Sequence, residues 1–182
     1  MEAMEEKKAH LFSNRDLRRL IAPMIIEQLL AILVGMSDSI MVASVGEHAG
    51  SGVSLVDNIF ILLIYLFAAL ATGGAVVAGQ YLGQNNLEKA RASVNQLILF
   101  TALFSIFITV LIYLARSFIL HNVFGHIEAD VMEAAKIYLV VVSASIPFIA
   151  LYNAGAAVFR SMGNSKVPMY LSFLMNTINI CG

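Results

Sequence analysis

Long apolar runs follow one another along almost the whole chain. There are five, and the last is still apolar where the sequence stops; they cover roughly residues 20–45, 56–82, 92–115, 131–159 and 167–182. A helix needs about 20 mostly apolar residues to cross a bilayer. Because no soluble fold needs so many long apolar runs in succession, the pattern predicts an all-α polytopic membrane helix bundle.

The composition supports a lipid environment and excludes several classes of function. Apolar residues make up 59% of the chain and charged residues 13%, whereas a soluble domain has about a quarter charged residues. The net charge of −1 gives no basic field for nucleic acid. One cysteine, Cys181, excludes an internal disulfide or a cysteine-built metal site. The four histidines lack ligand spacing, so we expect no catalytic residues and no cofactor.

The lysines and arginines predict the orientation. Nine of the 11 precede the first run or lie in the second and fourth connections, which share one side of the membrane. The positive-inside rule makes that side cytoplasmic. We therefore expect residues 1–19 to be a cytoplasmic tail and residues 20–182 to be a partial N-terminal lobe in the cytoplasmic membrane. The tail carries both signs of charge and no cleavage site, so we do not expect it to be a signal peptide.

Two acids interrupt the first run. An acid at the centre of a spanning helix costs about 2.5–3.5 kcal/mol on insertion scales. Glu27 and Asp38 are 11 residues apart, which places them on nearly the same helix face, about 16 Å apart along the axis. Intramembrane acids are functional candidates by default. We favour Asp38, the deeper one, as a proton, Na⁺ or organic-cation site over Glu27; a structural hydrogen bond is the alternative for both.

Three amides in later runs are further candidates. Asn176 and Asn179 lie in the fifth run at i, i+3 spacing, and Asn153 lies in the fourth. Amides in lipid often join helices by hydrogen bonds. For each asparagine, joining helices and lining a site stay open.

Glycines and prolines indicate close packing and bending. Gly73, Gly74 and Gly79 lie in the second run without the strand and loop of a nucleotide site, so we expect them to allow close helix contact. Pro23 and Pro147 are expected to loosen helices that bend.

Three segments in the same order resemble a known family. IAPMIIEQLLAILVGMSDSIMVASVG is similar to the first helix of multidrug and toxic compound extrusion (MATE) transporters. GQYLGQNNLEKA resembles the loop after their second helix, and FRSMGNSKVPMYLSFLMNTIN resembles their connection into the fifth.

The resemblance implies a fold and an activity. It implies twelve spans in two lobes with alternating access, and export of small organic cations driven by Na⁺ or H⁺. It makes Asp38 the first-lobe ion site, with Asn179 more than Asn176, and also Asn153, as partners. The chain would then be an N-terminal fragment, and the C-terminal lobe would be its missing partner.

Other functions fit parts of the sequence. A flippase for lipid-linked sugars has a related fold, but it needs a more cationic cavity than these spans offer. A membrane-embedded protease needs a histidine within a span, and none is found there. A purely structural subunit would not need a deep aspartate.

Overall fold

The computed structural model describes residues 14–45, 47–124 and 128–181. These residues form six α-helices and one π-helical turn, and they contain no β-strand. The elements are α1 (Asn14–Val45), α2 (Glu47–Gly83), α3 (Leu87–Phe118), the π-helical turn (Ile119–Val123), α4 (Ala129–Ser143), α5 (Ile146–Ser161) and α6 (Lys166–Cys181). The predicted all-α membrane bundle is confirmed.

Three of the helices have the length and composition of membrane spans. Their apolar segments are Asn14–Val42, Gly50–Gly83 and Leu87–Asn122. Helices α4 and α5 together form a fourth such segment, bent by 46° at the break between them. Pro147 lies in the first turn of α5, where its missing N–H cannot continue the hydrogen bonding of α4. Pro23 lies inside α1, which is continuous.

Two predicted connections are partly helical. Residues 47–55 lie between the first two predicted runs, but they are helical because α2 begins at Glu47. Residues 87–91 lie between the second and third predicted runs, but they are helical because α3 begins at Leu87. The Asn86 side chain accepts a hydrogen bond from the Lys89 N–H at 3.1 Å and so caps α3. Helix hydrogen bonds are made by the backbone, so a helix extends beyond its apolar segment when the polar residues at its end can be solvated.

Helix α2 lies at the centre of the bundle. It packs against α3, α4 and α5, while α1 packs mainly along α6 and to a lesser extent against α2. The larger core joins α2 to α3, α4 and α5 through Val56, Phe60, Phe67, Ile112, Ala135, Leu139, Ile146 and Ala150. Thus α1 and α6 form a pair beside a body made of α2 to α5.

Small residues allow α2 to approach its neighbours closely. A Cβ at Gly52 would stand 2.8 Å from backbone atoms of Val131 and Ala135 in α4. A Cβ at Gly74 would stand 2.5 Å from a Leu97 methyl group in α3. Close packing is therefore found at Gly74. At Gly73 the expectation is wrong, because no neighbouring atom lies within 4 Å of the Cβ position.

The Gly52 contact predicts a difference between two glycine substitutions in α2. Gly52→Ala forces α2 away from the α4 backbone and should destabilise the protein by about 1–3 kcal/mol. Gly73→Ala meets open space and should be neutral, or stabilising by up to about 1 kcal/mol, because alanine is the better helix former. Thermal unfolding of the purified full-length variants in detergent measures both. Equal stability of the two variants would contradict the close approach of α2 and α4.

Candidate ion and substrate site

Asp38 lies in the last third of α1 and is half-buried. The hydroxyls of its neighbours Ser37 and Ser39 donate to their own helix, to the carbonyls of Leu33 at 3.1 Å and Gly35 at 2.8 Å. Among the residues that the structure describes, the Asp38 carboxylate has no hydrogen-bond partner. A carboxylate in this position can therefore bind a ligand without first breaking a hydrogen bond.

Two further polar side chains lie at the same end of the bundle as Asp38. The Tyr138 hydroxyl of α4 donates to Asp57 Oδ1 of α2 at 2.8 Å, and Asp38 lies within electrostatic range of that hydroxyl without a hydrogen bond to it. Asp38 is 7 residues from the end of α1, while Asp57 and Tyr138 are 10 and 9 residues from the starts of their helices. At 1.5 Å per residue these depths agree within about 5 Å. We call Asp38, Asp57 and Tyr138 the outer polar cluster.

Glu27 belongs to a second group, nearer the other end of α1. Its Oε1 accepts hydrogen bonds from Arg160 Nη2 at 2.6 Å and from the Tyr152 hydroxyl at 3.2 Å, both on α5. Only 6% of Glu27 is exposed, and a buried charge of this kind is tolerated when it is paired and hydrogen-bonded. We call Glu27, Tyr152 and Arg160 the inner polar cluster. It ties α1 to α5.

The two acids in the apolar part of α1 have different relations to the bent span. Glu27 is hydrogen-bonded to Tyr152 in α5, whereas Asp38 lies within electrostatic range of Tyr138 in α4 without a hydrogen bond to it. The acids are 11 residues apart and the tyrosines 14 apart, in the opposite chain direction. Glu27 and Asp38 thus share a side of α1 but belong to different clusters, so the structure does not combine them into one site.

Asn176 and Asn179 lie between the two clusters in depth, and Asn153 lies beside the inner polar cluster. Ser172 of α6 is buried near the Tyr152 hydroxyl and so marks the depth of the inner polar cluster. Asn176 and Asn179 lie 4 and 7 residues farther along α6, about 6 and 10 Å nearer the outer end. Asn176 is half-buried, and its buried Nδ2 has no partner in the described part of the chain; Asn179 is exposed. Asn153 is half-buried beside Tyr152.

Sequence reasoning missed three of the residues that form these clusters. Asp57 lies at the start of the second predicted run, directly before the uncharged stretch 58–87, and was not singled out, although an acid at that edge was a usable signal. Tyr138 gave no signal of its own. Arg160 was assigned to a connection, but it lies in the last turn of α5 and its guanidinium reaches Glu27.

An apolar cavity lies away from the outer polar cluster. Its volume is about 400 Å³, and it lies at the inner ends of α2, α3 and α5, between Leu82, Val94 and Val158. None of the acids named above lines it. The candidate site is therefore defined by its charged groups and not by this cavity. No three His, Cys, Asp or Glu side chains gather to hold a metal within residues 14–45, 47–124 and 128–181.

The Glu27–Arg160 pair predicts a non-additive pair of substitutions. Arg160→Met leaves a buried carboxylate without its cation and should destabilise the protein. The loss should be smaller than the about 3–5 kcal/mol of a fully buried pair, because the Arg160 side chain is 31% exposed. Adding Glu27→Leu should recover much of the loss, since no buried charge then remains. Unfolding of both single variants and the double variant measures the coupling; additive effects would contradict the pairing.

Comparisons with known proteins agree with this architecture. The MatE family model matches residues 23–182. A probable multidrug resistance protein NorM of Thermotoga maritima is 30% identical over 92% of this chain, and the uncharacterized transporter YisQ of Bacillus subtilis is 29% identical over 88%. The chain spans about 36% and 35% of their lengths.

Solved structures share the fold. A MATE protein crystallised with MaL6 superimposes with a TM-score of 0.86 at 23% identity, over 91% of this chain and 36% of that one. A MOP superfamily transporter from Pyrococcus furiosus gives 0.83 at 23% identity, with the same coverage. The chain therefore belongs to the MATE family of multi-pass membrane proteins, whose members are transporters and not enzymes.

Proposed function

We propose that the complete transporter exports small organic cations in exchange for H⁺ or Na⁺, and that Asp38 is its ion site in this lobe. The observation that carries the proposal is the state of Asp38. It is a half-buried carboxylate in an apolar helix, and it has no hydrogen-bond partner among the described residues. A charge in such a place is costly unless something positive accompanies it.

Glu27, the acid of the inner polar cluster, differs from Asp38 because it already has partners. The charge of Glu27 is already balanced by Arg160 at 2.6 Å, so a transported cation would have to displace a guanidinium there. Glu27 was the weaker of the two candidate ion sites, and its contacts favour the structural alternative. The mobile cation is therefore assigned to Asp38.

Exchange follows if the coupling ion and the organic cation compete for the Asp38 carboxylate. A proton, a Na⁺ ion and an organic cation all neutralise the same carboxylate, so binding of one favours release of another. On the outer side the coupling ion would occupy Asp38 and the organic cation would leave. On the inner side the order would reverse. For a bound Na⁺, oxygen ligands besides Asp38 would come from neighbours such as the Asn176 or Asn179 amide, since hard cations prefer oxygen.

The charge distribution sets the proposed orientation. Of the nine basic residues that the structure describes, seven lie on the side that holds the starts of α1, α3 and α6, and by the positive-inside rule this side is cytoplasmic. The protein would then lie in the cytoplasmic membrane, and the outer polar cluster would face the exterior half of the bilayer.

The alternative function, a flippase for lipid-linked sugars, would require an uncompensated positive charge in the substrate cavity. The printed description of the Pyrococcus furiosus structure states that its pocket has reverse polarity and suggests a different function for that protein. In the described part of this chain, Arg160 points inward and is paired with Glu27. In the same part of the chain, the half-buried acids Asp38 and Asp57 have no basic partner, which suits a cationic cargo.

Transport by the complete protein in vesicles tests the proposal. Efflux of an organic cation such as ethidium is measured under an imposed Na⁺ gradient or an imposed pH gradient, and the gradient that drives it identifies the coupling ion. Asp38→Asn should reduce driven efflux by about tenfold or more, since a lost interaction of about 1.4 kcal/mol corresponds to a factor of ten.

Glu133→Gln is the matched control, because it removes an exposed acid of α4 and should leave driven efflux unchanged. Wild-type efflux by Asp38→Asn would rule out the assigned ion site. A protein that responds to neither gradient would point to the flippase.

A further inference from the structure

The apolar cavity at the inner ends of α2, α3 and α5 takes no part in the proposed ion site. Its walls are almost entirely apolar, and Ala78, Ala90 and Val94 are among the residues that form them. A buried water needs about two to four hydrogen-bond partners, and these walls supply few. The cavity of about 400 Å³ therefore favours an occupant that is itself mostly apolar.

Two polar side chains of α3 stand in the wall of this cavity without partners. Arg91 and Asn95 are four residues apart, so they share one face of α3, and both line the cavity. Neither has a hydrogen bond or an ion pair within residues 14–45, 47–124 and 128–181. A third polar residue of the wall, Ser161, donates its hydroxyl proton to the Val158 carbonyl at 2.8 Å. No acid is among the described lining residues, so the wall carries an unpaired positive charge.

The packing of the helices explains why this space is open. At a deeper level, α2, α3 and α5 meet through the buried residues Ala71, Leu97 and Ala154. Nearer the inner ends, the residues that face the cavity include Ala78 and Ala90, whose side chains are too short to fill it. The cavity is therefore closed on its deep side, and a longer side chain at position 90 would occupy it.

Arg91 lies at the level of the lipid headgroups. The apolar segment that contains α3 has 36 residues, about 54 Å of helix, whereas the hydrocarbon core of a bilayer is about 30 Å thick. When this segment is centred in the bilayer, about 12 Å at each end lies beyond the hydrocarbon. Arg91 is four residues from the start of α3, about 6 Å along the axis. Its guanidinium can therefore reach the phosphate groups of the bilayer.

We propose that the cavity binds one anionic phospholipid, with the first carbons of an acyl chain between α2, α3 and α5 and the phosphate at Arg91. A guanidinium binds phosphate oxygens through two parallel hydrogen bonds. The Asn95 amide, one turn deeper, can donate to the ester oxygens of the chain. Lys89 and Lys166 lie in the first turns of α3 and α6, at the same end of the bundle. Their charges favour a lipid of net negative charge over a zwitterionic one.

Lipid titration of the purified full-length protein in detergent tests this site. Phosphatidylglycerol or phosphatidylcholine with the same acyl chains is added, and native mass spectrometry measures the affinity for the first bound lipid. The wild type should bind phosphatidylglycerol about fivefold more tightly, the effect of one basic residue near an anionic lipid. Arg91→Gln should bind the two lipids about equally. Added salt should weaken phosphatidylglycerol binding more in the wild type than in Arg91→Gln, because salt screens the charge.

Two further variants and a soluble probe separate this site from general contact with lipid. Arg116→Gln is the matched control, since it removes an exposed arginine from the other end of α3, and it should keep the preference for phosphatidylglycerol. Ala90→Leu fills the cavity and should lower the affinity for both lipids, because the acyl chain is excluded. Glycerol 3-phosphate has the phosphate without the chains and should not compete with phosphatidylglycerol.

Each measurement has an outcome that would overturn the proposal. A preference that survives in Arg91→Gln, or that is lost equally in Arg116→Gln, would show that Arg91 does not bind the lipid. Unchanged lipid binding by Ala90→Leu would show that no chain enters the cavity, and competition by glycerol 3-phosphate would assign Arg91 to a free phosphate. Equal affinity of the wild type for the two lipids would show that the cavity has another occupant.

The lipid site and the proposed ion site are tested independently. Lipid binding is measured without a gradient and without Asp38 variants, so failure of one proposal leaves the other standing. If Ala90→Leu does not accumulate in the membrane, Arg91→Gln and the competition by glycerol 3-phosphate decide the question.

Discussion

The cost of a carboxylate in an apolar environment governs how this lobe is organised. The apolar part of helix α1 carries two acids, and the structure accommodates them in different ways. Glu27 is neutralised by Arg160 and receives a second hydrogen bond from Tyr152. Asp38 keeps its charge uncompensated among the described residues, and the Tyr138 hydroxyl donates to Asp57 instead. One acid therefore holds helices together, and the other is left able to bind a cation.

The two clusters also differ in how they hold the helices of the lobe together. Helix α1 packs mainly along α6, and its inner half is fixed to α5 through the Glu27–Arg160 pair. The span that contains α4 and α5 is bent by 46° between them, so Tyr138 and Tyr152 lie on two separately oriented segments. The Glu27–Arg160 pair therefore ties α1 to the α5 segment of this span.

Much of the fold could be predicted because it depends on short-range properties of the chain. Apolar runs of spanning length identify the helices, and Pro147 marks the break between α4 and α5, because a missing N–H acts locally. Helix ends were less predictable. Residues 47–58 have the composition of a turn, yet they form the first part of α2. The reason is that backbone hydrogen bonding does not depend on side-chain polarity.

The candidate site was predictable only in part. By itself the sequence determined that this is a helical membrane protein and that Glu27 and Asp38 are out of place in lipid, since both conclusions follow from transfer energies of residues along one helix. Only the tertiary structure decided that Glu27 is paired with Arg160, 133 residues away, and that Asp57 and Tyr138 accompany Asp38. Partners from other helices depend on packing and rotation, and a periodic pattern within one helix does not specify these.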